Sequence, residues 1–68
     1  MKAREMFEEL GYTKIVNNDF LLEYTNYEIT KKVVFYKKIK EVLSYEETLT
    51  MPLLKAINKQ IEELGWNE

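Results

Sequence analysis

Apolar residues recur at helical spacing near the start of the chain. Ala3, Met6, Phe7 and Leu10 follow one another at intervals of three and four, and charged residues fill the positions between them. This pattern predicts a short amphipathic helix over residues 2 to 10. Because so short a helix does not persist alone in water, its apolar stripe must pack against the rest of the protein.

A second apolar stripe lies near the end of the chain, where Thr50 is a plausible N-cap and Pro52 falls in the first helical turn. The stripe consists of Leu53, Leu54, Ala56, Ile57, Ile61 and Leu64. Within it Ile57 is expected to be buried, whereas its neighbours Ala56, Asn58, Lys59 and Gln60 are expected to be exposed or at the boundary. Asn58 and Gln60 are candidates for an exposed functional role.

Between the helices the composition changes to β-branched and aromatic residues separated by turn formers, which predicts strands. We expect them at about Thr13 to Val16, Phe20 to Thr25, Glu28 to Tyr36 and Lys40 to Tyr45. The connections are too short for parallel crossovers, so the strands should form an antiparallel meander. The prediction is one α+β domain over residues 1–68: a short N-terminal helix, three or four antiparallel strands and a C-terminal helix. Both helices should pack on one sheet face and leave the other to water.

The segment FEELGY at residues 7–12 returns as IEELGW at residues 61–66. Glycine commonly follows a helix end, and the next residue often packs back on the last turn, so both copies are interpreted as helix stops with an aromatic contact. The glutamates fit this role less well, because the negative end of the helix dipole disfavours them. They either face solvent at a small cost or meet lysines of the sheet or of a partner.

Composition narrows the class of protein. The hydrophobic fraction is 46% and the charged fraction 32%, with no cysteine and a net charge of −2. These values indicate a compact, complete, cytoplasmic protein without disulfides, a signal peptide or a membrane partner. The net charge gives no overall signature of nucleic-acid binding.

Chemistry-bearing residues are scarce. The chain has no histidine or cysteine, Ser44 has no base to activate it, and adjacent acids such as Glu46 and Glu47 do not face each other on a regular element. We therefore predict a non-enzymatic protein with no catalytic residue, cofactor or metal, although a carboxylate-only hydrolase or a magnesium site stays open.

Residues 30–40, TKKVVFYKKIK, hold five lysines and no acid within an acidic protein. This basic ribbon has three interpretations: a solvated hairpin, a surface for a protein partner, or a site for single-stranded nucleic acid, which combines phosphate contacts with base stacking. The run Val33 to Tyr36 places apolar groups on both sheet faces, so the second face is either partly covered or carries an exposed aromatic patch. The candidate binding surface comprises Tyr27, Lys31, Lys32, Tyr36, Lys37, Lys38, Lys40 and Tyr45.

The two ends, MKAREMFEELGY and LLKAINKQIEELGW, resemble a group of small proteins encoded by phages and prophages of Gram-positive bacteria. In that group a K/T-A-R/K-E-M-F-E-x-L-G-Y start and an A-I-N-K-Q-x-E-E-L-G-W finish surround a variable β-rich middle. The resemblance implies a phage setting, with the cytoplasm of a bacterial host cell as the location, and a helix–sheet–helix order, and it carries over no site. The segment TMPLLKA departs from it, because an acidic residue is expected near Pro52 or Leu53.

The expected function is therefore that of a phage accessory protein that binds a host or phage protein through the open sheet face or the lysine-rich hairpin. The alternative is a nucleic-acid-binding accessory protein that uses the lysines of residues 30–40. The chain is expected to be a monomer or a weak homodimer.

Overall fold

The computed structural model describes residues 1–45 and 48–67. The elements in chain order are α1 (Ala3–Glu9), β1 (Thr13–Asn17), β2 (Leu21–Asn26), β3 (Lys31–Tyr36), β4 (Glu41–Ser44) and α2 (Met51–Glu63). The strands form one antiparallel sheet in the order β1-β2-β3-β4. The predicted α+β class and the meander are confirmed.

The third strand begins three residues later than the sequence pattern predicts. Thr30 has a left-handed φ of 51°, so residues 27–30 form a four-residue turn instead of extending β3 back to Glu28. The turn between β3 and β4 repeats this design, because it also has four residues and its last residue, Lys40, has φ 55°. Lys40 therefore belongs to a turn, although strand was predicted there.

The core lies between the inward sheet face and the two helices, as predicted. Phe7 of α1 is fully buried, and its ring stacks on that of Tyr24 with centroids 3.9 Å apart. The same ring makes edge contacts with Tyr12 and Phe35 at 5.9 and 6.2 Å. The buried cluster is completed by Leu22, Val33, Leu53, Ala56 and Ile57.

Both EELG copies end their helices by the same hydrogen-bonding pattern. The N–H of Tyr12 donates to the carbonyl of Phe7, and that of Trp66 donates to the carbonyl of Ile61, in each case across five residues. Gly11 and Gly65 adopt φ values of 90° and 75° in the left-handed region. These are Schellman motifs, so the predicted helix stops are confirmed.

The second glutamate of the second copy has a specific partner. The Oε2 atom of Glu63 accepts a hydrogen bond from the backbone N–H of Ala3 at 2.8 Å, which places a carboxylate at the N-terminal end of α1. A negative charge is favourable there. Two of the other three glutamates form local ion pairs, Glu62 with Lys59 at 3.3 Å and Glu8 with Arg4 at 3.4 Å.

Two expectations for α2 were wrong. Ala56 and Gln60 are buried, because the apolar stripe is wider than the spacing of its large residues indicates. The Gln60 side chain accepts a hydrogen bond from the hydroxyl of Tyr24 at 2.6 Å, so this amide serves the core and is not available for an exposed role.

This buried hydroxyl makes stability depend on pH in the alkaline range. Burial, followed by the nearby carboxylate of Glu63, raises the pKa of Tyr24 from 10.0 to about 12. Because the folded state holds the proton more tightly than the unfolded state, the stabilisation is complete below pH 10 and is lost as the pH rises towards 12. We expect the free energy of unfolding of the wild type to exceed that of Tyr24→Phe by about 1 to 3 kcal/mol at neutral pH, because the variant leaves the Gln60 side chain without its hydrogen-bond partner.

Urea unfolding of both proteins at several pH values measures this advantage. The difference between them should shrink between pH 10 and pH 12, while ionisations shared by the two proteins cancel. If the difference in free energy of unfolding stays constant between pH 10 and pH 12, the Tyr24 hydroxyl does not have the raised pKa given above.

Candidate binding surface

The outward face of the sheet carries three rows of side chains that the strand register defines. The first row contains Thr13, Thr25 and Lys32, the second Val16, Glu23, Val34 and Leu43, and the third Leu21, Tyr36 and Glu41. Tyr45 follows β4 and extends the first row, since its N–H donates to the carbonyl of Lys32. We call these three rows with Tyr45 the outer face. Neither α1 nor α2 covers it, because the core cluster containing helix residues lies on the opposite side.

The outer face is apolar at its centre and is partly shielded by its own side chains. Val34 is only 4% exposed although no helix lies over it, so its cross-strand neighbours, which include Glu23 and Leu43, shield it. Leu43 remains 40% exposed and Tyr45 48% exposed. The run Val33 to Tyr36 is therefore covered by the helices on one face and by neighbouring side chains on the other.

The five lysines of the predicted ribbon form two groups. Lys32 lies in the first row with its ammonium 5.0 Å from the ring centroid of Tyr45, and Lys31 pairs with Asn26 in the inward-facing series. The turn lysines, Lys37, Lys38 and Lys40, occupy the β3–β4 turn at the other end of β3. A six-residue strand separates the groups by about 20 Å. The sequence placed them in one continuous ribbon, but β3 splits it.

The β1–β2 and β3–β4 turns are joined at one end of the sheet. The backbone N–H of Lys37 donates to the carbonyl of Phe20, and its ammonium group donates to the Oδ1 atom of Asn17 at 2.9 Å. The ammonium of Lys38 lies 5.7 Å from the ring centroid of Phe20. These contacts hold Lys37 and Lys38 at this end of the sheet, with the Lys37 ammonium bonded to Asn17, the cross-strand partner of the inward-facing Leu22.

Six of the eight predicted surface residues lie on the outer face or in the turn that adjoins it: Lys32, Tyr36, Lys37, Lys38, Lys40 and Tyr45. The other two lie elsewhere. Lys31 belongs to the inward-facing series of β3. Tyr27 is 70% exposed in the turn between β2 and β3, at the opposite end of β3 from the turn lysines. The remaining two tyrosines, Tyr12 and Tyr24, are core residues.

Sequence reasoning missed three surface residues that the structure makes prominent. Phe20 and Ile39 are more than 60% exposed in neighbouring turns, and Leu43 projects from the outer face. The sequence pattern predicted that Phe20 begins a strand, and it therefore did not predict an exposed ring in a turn. Asn18 could have indicated that Phe20 lies in a turn, because asparagine often closes turns with its side chain. Its Oδ1 atom accepts hydrogen bonds from the backbone N–H groups of Phe20 and Leu21.

Two shallow apolar grooves of about 250 and 260 Å³ flank Leu10, and the second is lined in part by Ile29, from the turn that also contains Tyr27. The first is lined by Met1, Met6, Glu9, Leu10, Pro52 and Lys55. Among residues 1–45 and 48–67, no group of three metal-ligating side chains comes together, and no buried side-chain polar atom lacks a hydrogen-bond partner. The pair Glu46 and Glu47 lies outside the described residues.

Comparison of the chain with protein-family models, curated proteins and solved structures gives no match. Neither of the described helices is long and apolar enough to cross a membrane. The fold thus defines a small α+β domain in which α1 and α2 leave one sheet face uncovered.

Proposed function

We propose that the protein is a non-enzymatic accessory protein that binds another protein through the outer face. The observation that carries the proposal is the uncovered four-stranded face, with Leu43 and Tyr45 exposed beside the half-buried Tyr36. Covering these side chains removes apolar area from water, at about 25 cal/mol per Å². Tyrosine in addition offers a hydroxyl at the rim, a combination common at interfaces.

The resemblance of the two chain ends to small phage and prophage proteins supports a phage setting and a bacterial cytoplasm as the place of action. In that setting the partner is a host or phage protein. The composition supports a binding role over catalysis, since the chain contains neither histidine nor cysteine.

The test is affinity capture from lysate of a phage-infected host, followed by purification of the captured partner and measurement of its affinity for two variants. Leu43→Lys places a charge on the outer face and should weaken binding by about tenfold or more, the equivalent of 1.4 kcal/mol. Leu49→Lys is the matched control, because Leu49 is 46% exposed against 40% for Leu43 and lies in the segment leading to α2.

Both variants should retain the circular dichroism and thermal midpoint of wild type, since both leucines are substantially exposed. If Leu43→Lys binds the partner as tightly as Leu49→Lys does, the outer face is not the binding surface and the proposal fails.

A second candidate is a nucleic-acid-binding accessory protein. It is favoured by the exposed aromatic ring beside each lysine group, Tyr45 by Lys32 and Phe20 by Lys38. Binding of a labelled single-stranded oligonucleotide should then weaken steeply with salt and should be lost in Lys32→Glu/Lys38→Glu. Binding that ignores salt, or survives this double substitution, excludes this candidate.

A further inference from the structure

The outer face has the size of one helix. Four strands at about 4.8 Å spacing make it roughly 19 Å wide, and three rows over two-residue steps make it roughly 14 Å long. An area on the order of 300 Å² falls well below the ~800 Å² per partner of a stable interface, so the face alone does not hold two copies of this chain together. It does accommodate a single helix of about 10 Å diameter, just as the inward face accommodates α1 and α2.

Positive charge marks both ends of that site. Lys32 stands in the first row, and the turn lysines lie beyond the third, with Val34 and Tyr36 between them along β3. The exposed Glu41 of the third row offsets one of the three charges of the turn lysines, so this end stays positive. Lys32 and Lys38 are six residues apart along the chain, a span of about 20 Å in extended backbone. A helix of about 13 residues has the same length, so acidic residues at its two ends reach the two lysine groups while its middle covers the apolar row.

The centre of the face adds a polar requirement. Glu23 lies in the middle row, opposite Val16 and Val34, and is half-buried. Its carboxylate accepts a hydrogen bond from the Thr25 hydroxyl at 3.2 Å. A wholly apolar helix laid over this row would desolvate the carboxylate without supplying a new partner, which is costly. A donor side chain at the middle of the helix removes that cost.

We infer that the occupant of the outer face is an amphipathic helix of the partner protein, with acidic residues at both ends, an apolar stripe between them and a hydrogen-bond donor facing Glu23. This inference rests on the proposed function, because it specifies the partner of the same face. Docking of the helix completes a three-layer arrangement with the sheet in the middle.

The experiment is a selection from a surface-displayed library of 14-residue peptides. Apolar residues are fixed at helical spacing, and the end and central boundary positions are fully randomised. Peptides are selected on the full chain and counter-selected on Leu43→Lys. Enriched peptides should carry Asp or Glu at both ends and Lys, Arg, Asn or Gln at the centre.

Binding of the enriched peptides to lysine variants then tests the charge pattern. Lys32→Glu/Lys38→Glu should weaken them by about tenfold or more, and peptides with lysine at both ends should prefer this variant. Lys2→Glu/Lys55→Glu makes the same change in net charge on exposed helix-side positions and should leave affinity unchanged.

The outcomes separate the inference from the proposed function. Peptides that need Leu43 but show no acidic preference, or that bind Lys32→Glu/Lys38→Glu normally, overturn the acidic helix and leave the outer face as a docking surface. A failure to enrich any Leu43-dependent peptide also overturns the helix, while the affinity of Leu43→Lys for the captured partner decides the proposed function independently. Lysine-dependent binding to vesicles of anionic phospholipid, with no peptide bound, overturns the inference too.

Discussion

Replacing Phe7 with alanine should destabilise the protein by about 3 to 5 kcal/mol, the usual loss for truncating a buried phenylalanine. The ring is fully buried and contacts three other aromatic rings, so the cavity left behind has rigid walls that cannot collapse. Small domains have a total stability of roughly 0.05 to 0.15 kcal/mol per residue, which is about 3 to 10 kcal/mol for this chain, and Phe7→Ala therefore removes between about a third and all of it. Chemical denaturation followed by circular dichroism measures the loss.

Phe20→Ala is the matched control for this prediction. It removes the same ring from a side chain that is 64% exposed in a turn, where the Lys38 ammonium lies over it. Its cost should stay below about 1 kcal/mol, in the range of exposed cation–π contacts and surface substitutions. Equal losses for the two variants would mean that the core is not organised around Phe7.

The second large effect is expected at Gly11. A Cβ atom at this position would lie 2.9 Å from the Nδ2 atom of Asn26, and the backbone has φ +90°. Asn26 cannot easily give way, because it is buried, donates to the carbonyl of Leu10 and accepts from the N–H of Glu28. Left-handed backbone strain and overpacking together predict a loss of about 2 to 4 kcal/mol for Gly11→Ala.

Gly65 provides the comparison within the same motif. It has φ +75°, but nothing lies within 4 Å of the position that a Cβ atom would take. An alanine there would therefore suffer left-handed backbone strain without a steric clash. Gly65→Ala should cost about 1 to 2 kcal/mol. Thermal or urea unfolding of both variants distinguishes the two glycines, and a larger loss at Gly65 would contradict the role assigned to Asn26.

The elements of the fold were predictable because local signals agree with the packing. The apolar spacing around Phe7, the N-cap at Thr50 and the glycines of both EELG copies each specify a helix or its end without reference to distant residues. The start of β3 was not predictable, since Thr30 is β-branched and favours a strand locally, yet the hairpin holds it at a left-handed φ. The buried Gln60 side chain is hydrogen-bonded to Tyr24, which lies 36 residues away in sequence. The spacing of apolar residues along α2 does not predict that pairing.

The candidate surface was predictable in composition but not in arrangement. Lysines and tyrosines of residues 27–45 do lie at the surface in most cases, but alternation along β3 sends Lys31 and Lys32 to opposite faces. The length of β3 also separates the turn lysines from Lys32 by about 20 Å. Glu23 gave no signal in the sequence, because its importance comes only from the cross-strand register that centres it on the outer face.

The hydrogen bond between Glu63 and Ala3 links residues 60 positions apart. Synthesis proceeds from the N-terminus, so the first helix is made long before the residue that caps it and before the helix against which it packs. An isolated segment as short as α1 does not hold its shape in water. The nascent chain can thus assemble its three hairpins early, since each joins strands adjacent in sequence, whereas the contacts between α1 and α2 form only after α2 has been made. Folding is completed only after translation has reached the second EELG, whose Glu63 supplies the last contact to the N-terminal end of α1.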